Sequence, residues 1–352
     1  METRITEFDV AIIADGNSGI GMGHIMRCSA IADALGDIGV KTCFIHSDDS
    51  VVETVRSLGF ESFVLHSDYR KLSEQGIEIK KILREHRISF SFFDSYYASN
   101  ELFKEIHKCC KTGCFGYGKN YYEGLDLIVP YGVSSDPKWY QATFDPNITT
   151  VLFGAKYVPL RRPFWSISEK NTENPEKRIL LTSGGSDPLN VTGNLIQKIR
   201  KSGISDPVDV VAGKFFDIDA LKMEFESDAN VIIHQGLTDL SPLMKRAVVA
   251  ISAGGMTLYE LMASSVTTVA YAFADNQLGN KMLSGAIIWC GDVRKDSALN
   301  MDALDKIVDQ THALLMNQQK RKALIDLGHE VCDGKGAGRI AASIKKCQTM
   351  QG

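Results

Sequence analysis

Short apolar runs alternate along the chain with stretches in which apolar residues return every three or four positions, the periodicities of buried strands and of helices. In the first half, the runs at 8–14, 41–46, 62–65, 90–93, 113–116, 125–129 and 149–153 predict strands. Helical spacing at 25–35, 51–58, 76–86 and 101–110 fills the gaps. The pattern then breaks at Pro159-Leu160-Arg161-Arg162-Pro163 and a polar, aperiodic stretch up to Pro175, which predicts a linker. It restarts with strands expected at 178–182, 208–211, 231–234, 249–252 and 267–271, and a helix at 191–199. Strands alternating with helices argue for parallel sheets joined by crossovers. The expected fold is α/β, with two Rossmann-like doubly wound domains at 1–158 and 178–352 and a linker at 159–177.

The length of 352 residues suits two domains. A net charge of −4 leaves no basic footprint for nucleic acid or an anionic membrane surface, so neither is an expected partner. No apolar span approaches the ~20 residues of a membrane helix, and the first residues lack a signal-peptide pattern, so a cytoplasmic protein is expected. Of the eight cysteines, only Cys109, Cys110 and Cys114 cluster, and no second cluster or histidine pair completes a zinc set. They are read as reduced packing thiols, with no metal and no cofactor expected. Composition does not give the oligomeric state.

Chemistry enters at the first strand's end. After the run ending at Ala14 come Asp15-Gly16-Asn17-Ser18, then Gly19, Gly21 and Gly23 at alternate positions, His24, and helical spacing from Ile25. Strand, glycine loop and helix form a unit in which the backbone can approach a ligand and the helix N-terminus favours an anion. A histidine there titrates near neutral pH and can take a proton. Two other readings stand beside this one. Gly19, Gly21 and Asp48 loosely imitate a dinucleotide fingerprint, without its third glycine. His24 is alternatively a helix-start residue bonded only locally.

The second half repeats the device. Ser183-Gly184-Gly185-Ser186-Asp187-Pro188 follows one strand, either as a ligand loop or as an ordinary turn. Ile251 to Glu260 runs from strand through Gly254-Gly255-Met256-Thr257 into a helix. The N–H groups of Gly255, Met256 and Thr257 suit a diphosphate, and the Glu260 carboxylate suits two ribose hydroxyls or simply the helix dipole. Ala274-Asp275-Asn276-Gln277 ends a further strand and offers amides to sugar hydroxyls, or is only a polar loop.

Taken in order, these segments resemble the UDP-sugar hydrolases of the pseudaminic-acid pathway and the related spore-coat polysaccharide proteins. The resemblance rests on Asp15 with Gly19 to Cys28, Asp94-Ser95-Tyr96, Phe153 to Arg161, and Gly184 to Pro188. Ile251 to Glu260, Asn276-Gln277 and Asp333 to Ala337 complete it. It implies a GT-B architecture, two domains facing across a cleft, and metal-independent attack of water on the anomeric carbon of UDP-2,4-diacetamido-2,4,6-trideoxy-β-L-altropyranose. His24 is then the base, with Tyr96 and Asn276 orienting water and sugar. Asp15, Gly21, Gly23, Arg27, Gly184, Gly185, Asp187, Gly254, Gly255, Met256, Thr257, Glu260 and Gln277 are the implied substrate contacts.

The chain departs from the family pattern at Ile13, usually arginine, at Val248, usually aspartate, and at Ser265-Val266-Thr267, usually Gly-Val-Pro. These changes spare the base and the nucleotide turn and bear on the sugar. A GT-B glycosyltransferase and a non-catalytic UDP-sugar-binding protein remain alternatives. The first needs an acceptor site; for a lipid acceptor that means a membrane-binding face, and Lys80, Lys81, Arg84 and Arg87 interleave with Glu78 and Glu85 as a solvated face instead.

Overall fold

Strands buried on both faces of a parallel sheet are mainly apolar, and the first runs follow this pattern. In the computed structural model, which describes residues 7–17, 19–166, 177–213, 215–296 and 298–349, β1 (Val10–Ala14), β2 (Thr42–His46) and β4 (Phe90–Asp94) are buried end to end. With β3 (Glu61–Val64), β5 (Lys111–Phe115), β6 (Leu127–Val129) and β7 (Thr150–Val151) they form a parallel sheet ordered β3-β2-β1-β4-β5-β6-β7. The order reverses between β1 and β4, and a ligand site is expected at the carboxyl ends beside such a switch. The helices here are α1 (Gly23–Asp37), α2 (Val52–Ser57), α3 (Gly76–Glu85), α4 (Asn100–His107) and α5 (Pro137–Thr143).

The second sheet has β8 (Arg178–Thr182), β9 (Val208–Ala212), β10 (Val231–Gln235), β11 (Ala247–Ala253), β12 (Thr267–Ala272) and β13 (Ile288–Asp292). They are parallel in the order β10-β9-β8-β11-β12-β13, reversing between β8 and β11. Its helices are α6 (Val191–Lys201), α7 (Ile218–Glu224), α8 (Ser241–Arg246), α9 (Thr257–Ala263), α10 (Met301–Met316) and α11 (Gln318–Val331). Each sheet has its own apolar core. The sequence reading named no strand beyond 271; β13 is a half-buried edge strand ending in Gly291-Asp292, and its apolar run is correspondingly short.

The chain divides into a first unit, Met1–Arg162 with Lys335–Gly352, and a second, Pro163–Gly334. The segment 335–352 thus sits with the first unit, where the sequence boundaries grouped it with the second. Its helix α12 (Gly336–Thr349) buries Ile340, Ala341, Ile344 and Cys347 and packs on α1. Lys345 Nζ donates to Ile38 O at 2.7 Å, and Gln348 Nε2 to Ser89 Oγ at 2.7 Å. An amphipathic stripe shows that a helix is covered, not by which sheet. Of the expected linker at 159–177, residues 167–176 lie outside the described residues.

Candidate active site

In the first unit, β1 delivers Asp15 to the switch point. The carboxylate is buried and accepts hydrogen bonds from Ser47 N (2.7 Å) and Ser47 Oγ (3.0 Å), tying the tip of β1 to that of β2. Burial raises its pKa against those two bonds. In the loop that follows, Asn17 Oδ1 accepts from Gly19 N (2.8 Å) and Ile20 N (3.1 Å), while Gly21 N donates to Asn17 O (2.8 Å). Gly21 has φ +72°, a left-handed backbone that glycine adopts without strain. Gly23 opens α1, whose first turn has no side-chain cap and no acidic residue.

His24, the second residue of α1, is 5% exposed. Its Nδ1 lies 2.8 Å from Asp94 Oδ1 and 3.2 Å from the Asp94 carbonyl at the end of β4. Asp94 is fully buried and also receives Arg27 Nε on Oδ2 (2.6 Å), Arg27 Nη2 on Oδ1 (2.7 Å), Tyr117 Oη on Oδ1 (2.5 Å) and Cys28 Sγ on Oδ2 (3.4 Å). Arg27 Nη2 further contacts Tyr117 Oη and stands 2.8 Å from His24 Nδ1. Burial favours a neutral Asp94, yet the Arg27 charge and the His24 and Arg27 hydrogen bonds outweigh it and hold the carboxyl well below the usual range.

Tyr96 lies beside this cluster, 60% exposed, its ring edge-on to His24 at 5.1 Å and 4.6 Å from the Tyr117 ring. Asp15, Ile20, His24, Tyr69, Asp94, Ser95, Tyr96 and Tyr97 line a cavity of about 10 Å³, roughly what one water molecule needs. The structure places Asp15, His24 and Tyr96 around this one cavity. The Arg27 side chain, given as a substrate contact, is 11% exposed and held on Asp94 and Tyr117. Asp94 and Tyr117 were given no role from sequence. A carboxylate directly after a buried strand, as at Asp15, was the available signal for Asp94; nothing in the pattern marks Tyr117.

In the second unit, the Asp187 oxygens accept from Val191 N and Thr192 N, both at 2.7 Å, so this expected contact anchors the start of α6. Gly184 (φ +85°) and Gly185 are met from below by Gly213, where an added Cβ would lie 2.3 Å from Gly184 O. After β11, Gly254 N donates to Tyr271 O (2.8 Å) and Gly255 N to Ala253 O (2.9 Å), so Gly255 is not an open donor for a phosphate. Among the described residues, the N–H groups of Met256 and Thr257 have no acceptor, as first-turn groups do not. Glu260 is half-buried in that turn. Gln277 uses its Oε1 on Phe273 N (3.0 Å), which folds the loop after β12 and leaves the neighbouring Asn276 exposed.

A cavity of about 470 Å³ opens at the carboxyl ends of β8, β9 and β10, lined by Gly184, Gly213, Gln235, Gly236, Leu237 and Thr257 among others. Gly213 and 235–237 were not foreseen, since no chemical motif distinguishes them. All eight cysteines are free thiols. Among the described residues no group of three or more His, Cys, Asp or Glu is placed to hold a metal ion, and no helix is long and apolar enough to cross a membrane.

No family model matches the chain. It is 26% identical over 272 residues to an uncharacterised protein of Methanocaldococcus jannaschii, covering 74% of this chain and 54% of that one. It is 22% identical to the spore coat polysaccharide biosynthesis protein SpsG of Bacillus subtilis, covering 96% and 97%. A Helicobacter pylori protein named pseudaminic acid cytidylyltransferase and UDP-2,4-diacetamido-2,4,6-trideoxy-beta-L-altropyranose hydrolase is 21% identical over 76% of this chain and 45% of its own. The chain thus spans about half the length of the first and third of these relatives. Among solved structures, MurG of Acinetobacter baumannii aligns with a TM-score of 0.68 at 14% identity, covering 96% and 99%. UDP-GlcNAc 2-epimerase of Neisseria meningitidis, bound to UDP-GlcNAc, aligns at 0.67 and 10%, covering 96% and 100%. The fold is accordingly that of the GT-B enzymes, two parallel-sheet α/β domains.

Proposed function

We propose that this chain is a sugar-biosynthetic enzyme acting on a UDP-sugar. We further propose that it hydrolyses UDP-2,4-diacetamido-2,4,6-trideoxy-β-L-altropyranose or a close UDP-amino sugar. A water oxygen attacks the anomeric carbon, its proton passes to His24, the carbon–oxygen bond to UDP breaks with inversion, and UDP leaves with the bonding electrons. The observation that carries this reading is the water-sized cavity walled by His24, Asp94 and Tyr96. A water held there would lie beside the base.

Unit 2 takes the nucleotide in this reading. The 470 Å³ cavity accepts the nucleoside, Gly184, Gly185 and the Met256 and Thr257 N–H groups face the diphosphate, and Glu260 faces the ribose. Donors at a helix start stabilise the charge that develops on departing UDP. Asn276, exposed beside the ordered Gln277, is assigned to the sugar. The names of the Bacillus and Helicobacter relatives support this pathway class, while likeness to MurG keeps a transferase as the competing reading.

The test is turnover of that UDP-sugar in oxygen-18 water, wild type beside His24→Ala. Label in the free sugar, none in UDP, and a loss of about 100- to 10,000-fold in the variant with UDP binding kept are the expected results. UDP binding without turnover would favour a transferase, and absence of UDP binding would end the reading.

A further inference from the structure

We infer that Asp94, Arg27 and Tyr117 are positioning residues that hold His24 as the Nδ1–H tautomer with Nε2 as the basic nitrogen. In this arrangement Arg27 sets its positive charge against Asp94 and beside the His24 ring. The inference deepens, and rests on, the reading of His24 as the base.

The acceptors around Nδ1 decide the tautomer. Arg27 Nη2 carries two hydrogens but has three neighbours: Asp94 Oδ1, Tyr117 Oη and His24 Nδ1. The carboxylate is the strongest acceptor of the three, and the tyrosine oxygen has room to accept because its own hydrogen goes to Asp94 Oδ1. Two hydrogens cannot fully serve three neighbours, so the Nη2 count leaves the Nδ1 proton open. A bare Nδ1 lone pair 2.8 Å from a carboxylate oxygen would be repelled, whereas an Nδ1–H donates to it and leans toward the Asp94 carbonyl at 3.2 Å. Oδ1 then receives His24, Arg27 and Tyr117, and Oδ2 receives Arg27 Nε and Cys28.

The arginine solves a problem that the dyad creates. A carboxylate against an imidazole attracts a second proton to the ring, and an imidazolium cannot take one from water. Arg27 is in contact with both partners and supplies the opposing positive charge. The remaining groups around His24 add little net charge. Burial pushes the Tyr117 and Tyr131 hydroxyls up, so both stay neutral, Tyr69, Tyr96 and Tyr97 are phenols, and Asp15 directs its carboxylate at Ser47.

The experiment is a long-range proton–nitrogen NMR titration of protein carrying nitrogen-15 histidine, without substrate, with His24 assigned by its loss in His24→Gln. The expected wild-type spectrum has a protonated Nδ1 and a bare Nε2. In Arg27→Gln the His24 midpoint rises by about one unit or more, because the carboxylate is no longer balanced. Arg27→Lys, which keeps the charge, leaves it near the wild-type value and covers the case in which the glutamine variant does not fold. Asp94→Asn loses the single tautomer. The acid limb of kcat/KM follows the same shifts with KM unchanged. A wild-type Nε2–H tautomer, or an Arg27→Gln midpoint that stays put while KM rises, overturns the inference and makes Arg27 a ligand contact. Because the spectra need no substrate, the expected NMR result in a protein without hydrolase activity would remove the proposed reaction and leave this arrangement standing.

Discussion

At the scale of single residues, several side chains that read as ligand contacts also organise the loops that carry them. Asp15 holds Ser47, Arg27 holds Asp94, Asp187 holds the start of α6, and Gln277 holds Phe273. The reason is general: a polar group taken out of water must find partners, and the nearest orphan donors are at strand tips and helix starts. Asp187→Ala is expected to destabilise the protein by about 1 kcal/mol, the usual cost of losing a helix-start acceptor, as read by urea denaturation. Ser265 gives the same lesson for the backbone. It has φ +58°, a left-handed backbone that favours glycine, and its hydroxyl lies 2.9 Å from His329 Nε2.

At the scale of elements, the 470 Å³ cavity of unit 2 depends on how closely the end of β9 approaches the loop after β8. Gly213 directly follows β9, with the Gly184 and Gly185 backbone so near that no Cβ fits. Gly213→Ala is expected to displace the 183–190 loop and weaken UDP binding by about tenfold or more, roughly 1.4 kcal/mol, measurable by calorimetry. An unchanged affinity would show that the nucleotide does not use this loop. The C-terminal helix makes a complementary point: α12 covers α1 although 172 residues of the other unit, Pro163–Gly334, intervene.

At the scale of the whole molecule, each unit has, among the described residues, a fully buried carboxylate held ionised by arginine. In unit 2 it is Asp209, which accepts from Arg178 Nε (2.7 Å), His234 Nε2 (2.7 Å) and Arg246 Nη2 (3.0 Å). Burial opposes its charge, and the Arg178 and His234 hydrogen bonds prevail and lower its pKa. Asp209→Asn removes the buried charge on which Arg178, His234 and Arg246 converge, and should cost about 3–5 kcal/mol in urea denaturation. The pH dependence follows from the sign of the shifts. Asp94 and Asp209 both have depressed pKa values in the folded state, so their contribution is complete above about pH 4 and is lost as pH falls below it. Denaturation curves at pH 7 and pH 3 should therefore converge for Asp209→Asn relative to wild type.

The alternation of apolar runs and helical spacing was enough to determine two parallel-sheet α/β halves, because strand burial on both faces and crossover connection leave few other ways to cover such runs. It also located the glycine turns after β1, β8 and β11 and put His24 at a helix start, since those features are local in sequence. The partners of the polar groups were decided only by tertiary structure. Asp94 reaches His24 and Arg27 across about 70 residues of chain, and Tyr117 joins them from beyond the next strand. Hydrogen bonding depends on which strand tips adjoin, and strand order β3-β2-β1-β4 is a property of the assembled sheet that no single run encodes.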